Sequence, residues 1–216
     1  MGCPDNALWL QAWKENHIDD FHQSRINPLL MRFWPGIKLL RGKRLFVPLC
    51  GKSLDMIWLA QQGYEVLGVE LSPIAVAAFF KENGLRPTRR AFGAFTQWQV
   101  GRITVLCGDF FKLSSRRLGK VDWVYDRASL TALPPDLRLR YAKHLQHVTK
   151  APICLMTTEE REQGVSEQNF MGVDPEISLL YGEACGVHIS YVEPVKAHAL
   201  ATDAVHKVYE LIRHPH

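Results

Sequence analysis

At 216 residues the chain is long enough to bury one substantial core beneath a crossover-connected sheet, and short for two domains. With 47% apolar and 22% charged residues it is not a disordered chain, and its net charge of +4 comes from scattered basic residues rather than one run. Its five cysteines form no C-x-x-C pair and no histidine stands at zinc-ligand spacing, so reduced structural thiols in a cytoplasmic protein are expected, with no metal site.

The opening "MGCPDNALWLQAW" lacks the basic-then-apolar order of a signal peptide, and Asn6 stands where a myristoylation pattern needs Ser or Thr. No apolar run reaches the length of a membrane span. Leu8, Trp9 and Trp13 share one face of a first predicted helix. In "NPLLMRFWPG", Pro28 suits a first helical turn and Pro35-Gly36 ends it. These segments, residues 1–40, make an N-terminal helical cap.

"RLFVPLC" (44–50) is a buried strand by length and composition. In "KSLDMIWLAQQG", Leu54, Ile57 and Trp58 fall at helical spacing, with Ser53 as N-cap and Gly63 as stop. "YEVLGVE" (64–70) is the next strand, and Ser72-Pro73 opens a helix running to Gly84. "ITVLCGD" (103–109) and "VDWVYD" (121–126) are two further strands. After them come an amphipathic helix in "PPDLRLRYAKHLQHV", a strand in "APICLMTT" and a helix in "DPEISLLYGEA". "VHISYVEPV" and "DAVHKVYELI" have no helix-length segment between them, which predicts a closing antiparallel hairpin. Seven strands alternating with helices predict a doubly wound α/β fold: a mostly parallel seven-stranded sheet with helices on both faces, in one domain over 1–216.

Gly51-Lys52-Ser53 matches the last three residues of a phosphate-binding P-loop. The first glycine of such a loop would fall at Phe46, inside a strand, which leaves no Gly-rich loop to wrap phosphates. The same strand-loop-helix unit fits an adenosine-containing ligand at the carboxyl end of the sheet. Glu70 closes the second strand 19 residues after Gly51, where a carboxylate receives ribose hydroxyls. A ligand with a ribose but no phosphate needs few glycines, and S-adenosylmethionine is such a ligand. Asp109 at the tip of the third strand can reach adenine, and Asp126 and Arg127 end the fourth.

"LWLQAWKENHIDDFHQSRINPLL", "VPLCGKSLDMIWLAQQGYEVLGVELS", "CGDFF" and "YDRASLTALPP" together resemble the thiopurine S-methyltransferase family, particularly its bacterial members, over nearly the whole chain. The resemblance implies a class I, Rossmann-like methyltransferase that uses S-adenosylmethionine. By position it implies that Trp13 lies over the cofactor, Leu49 and Gly51 approach its methionine part, and Glu70 holds the ribose. Leu71 would pack against adenine, Asp109 and Phe110 would line the adenine pocket, and Arg127 would reach the methionine end or the substrate. The chain departs from the family in "TTEEREQGVSEQNFMGVDPE" and "KAHALATD", so the loops 159–172 and 196–203 put the acceptor in question more than the cofactor. Phe170 alone is kept from a Gly-Pro-Pro-Phe segment, and Lys196 and His198 stand where an arginine is expected.

Methyl transfer from a sulfonium needs alignment and exclusion of water above all, worth roughly 7–11 kcal/mol in favourable cases. Asp20 or His22 could accept a proton if the cap folds over the pocket, and Arg127 could lower a bound thiol's pKa. The expected acceptors are small aromatic or heterocyclic thiols, or selenium and tellurium compounds, taken by a monomer. The other reading is a cofactor-binding protein of the same fold that has lost turnover. Nucleic acid is not an expected partner: the fourth strand ends in "YDRA" rather than an N-P-P-Y tip, and basic and aromatic residues do not interleave. A membrane is not expected either.

Overall fold

The structure is a computed structural model that describes residues 4–18, 22–160, 174–194 and 204–215. The chain divides into two compact units, Met1–Ser114 and Ser115–His216.

The first unit opens with α1 (Pro4–Glu15) and α2 (Pro28–Phe33), followed by a 3₁₀ turn at Trp34–Gly36. Asn27 caps α2 by accepting from the Leu29 N–H at 2.8 Å, and Pro28 takes the first turn as expected. β1 (Arg44–Val47) is shorter than the predicted 44–50 run. Pro48 offers no N–H to a ladder, and Leu49 turns the chain into the left-handed region at φ 44°. The helix α3 (Asp55–Gln61) starts two residues beyond the expected Ser53 cap. Ser53 Oγ instead accepts from the Asp55 N–H at 3.3 Å. β2 (Glu65–Glu70) leads to α4 (Pro73–Glu82), whose N-cap Ser72 accepts from the Ala75 N–H.

Seven strands were expected, and the described residues hold nine. The additional pair is β3 (Thr88–Phe92) and β4 (Phe95–Val100), an antiparallel hairpin turning at Gly93-Ala94. β3 is exposed along nearly its whole length and carries Arg89 and Arg90, so it has no apolar periodicity to betray it. Those charges suit an unpaired edge, and the Arg89 guanidinium lies 3.6 Å from the Trp98 ring centroid. β5 (Ile103–Cys107) completes the unit, ahead of a 3₁₀ turn at Phe110–Lys112. Its strands lie in the order β3-β4-β5-β2-β1, with β1, β2 and β5 parallel. β1 and β2 are almost continuously buried, as strands covered on both faces must be.

The second unit contains α5 (Ser115–Leu118), β6 (Trp123–Arg127), α6 (Ser129–Ala132), α7 (Pro135–Val148), β7 (Ile153–Glu160), α8 (Asp174–Tyr181), β8 (Cys185–Pro194) and β9 (Ala204–Arg213). Its strand order is β6-β7-β9-β8, with β6 and β7 parallel. β8 and β9 form the expected closing antiparallel hairpin. Under α7 the fully buried Asp126 accepts from the Tyr141 hydroxyl at 2.6 Å. Burial outweighs this and the other donors around it, and pushes the Asp126 carboxyl up to about 6. No helix among the described residues is long and apolar enough to cross a membrane.

Candidate active site

The loop after β1 is held by backbone bonds: the Cys50 N–H donates to the Val69 carbonyl of β2 at 2.9 Å, and the Ser53 N–H to the Cys50 carbonyl at 3.1 Å. Gly51 sits at φ 52°, a conformation that strains any residue with a Cβ. Its N–H donates to Glu70 Oε2 at 2.8 Å, and the Ser72 N–H donates to Glu70 Oε1 at 2.7 Å. One carboxylate therefore ties the turn after β1 to the start of α4. Each carboxylate oxygen keeps a second lone pair, so Glu70 can still accept hydroxyl hydrogens from a ligand. Its burial raises the Glu70 pKa, while the N–H groups of Ser72, Gly51 and Leu71 act the other way.

Lys52 is occupied elsewhere. Its Nζ lies 3.0 Å from both carboxylate oxygens of Glu82 at the end of α4, so the lysine of the P-loop-like triplet already has its counter-ion.

Trp13 is 7% exposed and clusters with Ile18 and with Ala75 of α4. Its ring covers Gly51 closely: a Cβ there would meet Trp13 Cζ2 at 3.3 Å. Leu49 and Leu71 are half-buried in the turns that follow β1 and β2. Beyond β5, Asp109 caps the 3₁₀ turn, with Oδ1 accepting from the Phe111 N–H at 2.9 Å. Its Oδ2 accepts from Asn6 Nδ2 of α1 at 3.3 Å. The helix α1 thus touches the turns after β1 and β5 and the first turn of α4. Phe110 is 2% exposed and stacks on Phe46 of β1, with ring centroids 6.4 Å apart, so its ring belongs to the core and only its backbone borders the turn.

Six of the expected residues, Trp13, Leu49, Gly51, Glu70, Leu71 and Asp109, are therefore assembled around the strand ends of the first unit, with Phe110 behind them. Arg127 lies in the second unit, half-buried at the end of β6 and paired in register with Met156 of β7. Asn6 had no signal in the sequence, because its partner is 103 residues away. His22 is half-buried and its N–H donates to the Ile18 carbonyl at 2.8 Å. Asp20, Phe170, Lys196 and His198 lie outside the described residues, as do all of 196–203 and all of 159–172 except Glu159 and Glu160.

A small cradle of this kind, with a buried carboxylate and a glycine beneath an indole, fits the ribose and the apolar parts of an adenosine-type ligand. A profile of the thiopurine S-methyltransferase family matches residues 4–213. The chain is 49% identical over 213 residues to a thiopurine S-methyltransferase of Stutzerimonas stutzeri, covering 96% of this chain and 90% of the relative. It is 48% identical over 183 residues to one of Nitrosospira multiformis, covering 84% and 83%. Among solved structures, a Synechocystis magnesium protoporphyrin IX methyltransferase with bound SAM superposes with a TM-score of 0.67 at 15% identity, over 99% of both chains. A Burkholderia thailandensis 1,6-didemethyltoxoflavin-N1-methyltransferase with bound S-adenosylhomocysteine gives 0.63 at 12% identity, covering 98% of this chain and 92% of that one. These structural likenesses are of fold.

Proposed function

The chain belongs to the thiopurine S-methyltransferase family, which makes it an S-adenosylmethionine-dependent methyltransferase, and we propose that it methylates the sulfur of small aromatic or heterocyclic thiols. The observation that carries the cofactor side of this reading is the Glu70 carboxylate, buried at the end of β2 and braced by two backbone N–H groups. In this reading Glu70 holds the ribose, Trp13 covers the cofactor, and Leu49 and Gly51 border its methionine part. Leu71, Asp109 and the backbone of Phe110 border the adenine. Arg127 is assigned to the methionine end or the acceptor, supported by its place at a strand's carboxyl end.

The bound cofactor supplies an electrophilic methyl group on a positively charged sulfur. The protein's work is to align a thiol with that methyl group and to exclude water, a contribution that reaches about 7–11 kcal/mol in favourable cases. A cationic Arg127 near the thiol would favour its thiolate. The family match over 4–213 supports a single methyltransferase domain made by both units. Action as a monomer in the cytoplasm fits a small-molecule acceptor.

A radiolabelled methyl-transfer screen over heterocyclic, aryl and alkyl thiols, with selenite and tellurite as further arms, tests the proposal. Methyl transfer to one or more thiols is expected. Tight S-adenosylhomocysteine binding with no methyl transfer to any thiol would overturn it in favour of a cofactor-binding protein.

Gly51→Ala probes the cover over the cofactor. A Cβ at a positive φ, placed 3.3 Å from Trp13 Cζ2, is expected to destabilise the fold by about 1–3 kcal/mol. Urea unfolding with native stability would show that the turn accepts a Cβ beneath Trp13.

A further inference from the structure

From Asn6 to Glu15 the residues of α1 that are not exposed are Asn6, Trp9, Ala12 and Trp13, spaced i, i+3, i+6 and i+7 along one face. Asn6 is the amide in a row of otherwise apolar side chains, and it is turned inward while Leu8 is left 71% exposed. Asn6 and Trp13 stand about two turns apart. One helix face thereby reaches the turn after β5 with the amide and the turn after β1 with the indole. Asp109 Oδ2 accepts from Asn6 Nδ2 at 3.3 Å, and Oδ1 accepts from the Phe111 N–H at 2.9 Å. The partner settles the orientation of the amide, because its carbonyl oxygen would be repelled by a carboxylate. All of these residues belong to the first unit.

We propose that Asn6 is a positioning residue for the adenine end of the cofactor: its amide fixes the Asp109 carboxylate and clasps α1, with Trp13, over the cradle. This rests on the assignment of Asp109 to the adenine above. A carboxylate offers about four acceptor sites. The Phe111 and Asn6 donors use one on each oxygen, which leaves one on each for the exocyclic amino group of adenine. Held by donors from two separate elements, Asp109 meets the base already oriented, and less freedom is lost on binding. The Phe111 N–H bond by itself keeps the 3₁₀ turn capped, so removal of the Asn6 amide releases α1 from Asp109 without unfolding the turn.

S-adenosylhomocysteine affinity is measured by isothermal titration for wild type, Asn6→Ala, Asp109→Ala and the double variant, with urea midpoints to check that each folds. Asn6→Ala is expected to weaken binding about fivefold. In the Asp109→Ala background the same change should cost less than about twofold, because Asn6 acts through that carboxylate. Asn6→Asp sets two carboxylates against each other, and on acidification one of them takes up a proton and restores a hydrogen bond between them. Its affinity relative to wild type should therefore rise at least about fivefold from about pH 8 to about pH 5, while the Asn6→Ala ratio stays flat. Glu70 is common to all these proteins and cancels in the ratio. Native affinity in Asn6→Ala, an equal loss in both Asp109 backgrounds, or a flat ratio for Asn6→Asp would overturn the role of Asn6. An Asp109→Ala protein that binds as tightly as wild type would instead overturn the assignment of Asp109 to the adenine.

Discussion

Glu70→Ala is expected to weaken S-adenosylhomocysteine binding by more than about tenfold, read by isothermal titration. Three effects add in this variant. The ribose loses its acceptor, and hydrogen bonds to a charged group are worth about 1.5–3 kcal/mol. The Gly51 and Ser72 N–H groups, now 2.8 and 2.7 Å from the carboxylate, lose the group that fixes the turn after β1 relative to α4. Trp13 rests on that same turn, so its cover loosens as well. Glu70→Gln separates the contributions, because its carbonyl oxygen can keep one N–H while its amide meets the other as a second donor. An intermediate loss is expected there, and near-native affinity in Glu70→Ala would remove Glu70 from the site. Because burial raises the Glu70 pKa, binding should also weaken on acidification as the carboxylate takes up a proton.

Asp126 should leave its mark on stability rather than on binding. Its carboxyl rises from 3.8 to about 6 on folding, so between these values the folded chain holds a proton that the unfolded chain has released. The stability from this group is complete below pH 3.8 and is lost as the pH rises through 6. Two pH units at 1.36 kcal/mol each amount to about 3 kcal/mol. Asp126→Asn cannot titrate, so the stability of wild type minus variant should fall by about 2 kcal/mol between pH 4 and pH 7 in urea unfolding. A difference that is constant across this window would show that the Asp126 pKa is not raised. The burial of Tyr141 keeps its phenol protonated, so it remains a donor to Asp126 throughout.

Much of the site could be read locally. Gly51 and Glu70 follow from their positions at strand ends, since apolar runs and turn residues mark where strands stop whatever the rest of the chain does. Phe46, at the position of the missing glycine, argued against a P-loop from the sequence, and the Lys52–Glu82 ion pair agrees from the structure. Other features had no local trace. β3 leaves no local trace because an exposed edge strand carries no apolar period. The apolar run 44–50 outlasts β1, which stops at Val47 because Pro48 has no N–H for the ladder. Position alone does not tell that the Phe110 ring stacks on Phe46 in the core.

The sequence alone determined the family, the alternation of strands and helices, and the strand ends where a ligand would bind. These depend on side-chain periodicity and turn chemistry within about ten or twenty residues of chain. Tertiary structure alone decided which groups meet: Asn6 with Asp109, Trp13 with Gly51, and Thr158 with His206. Strand register sets His206 on the face of Arg127. Register is a non-local quantity, and one residue of slip would turn His206 to the other side of the sheet.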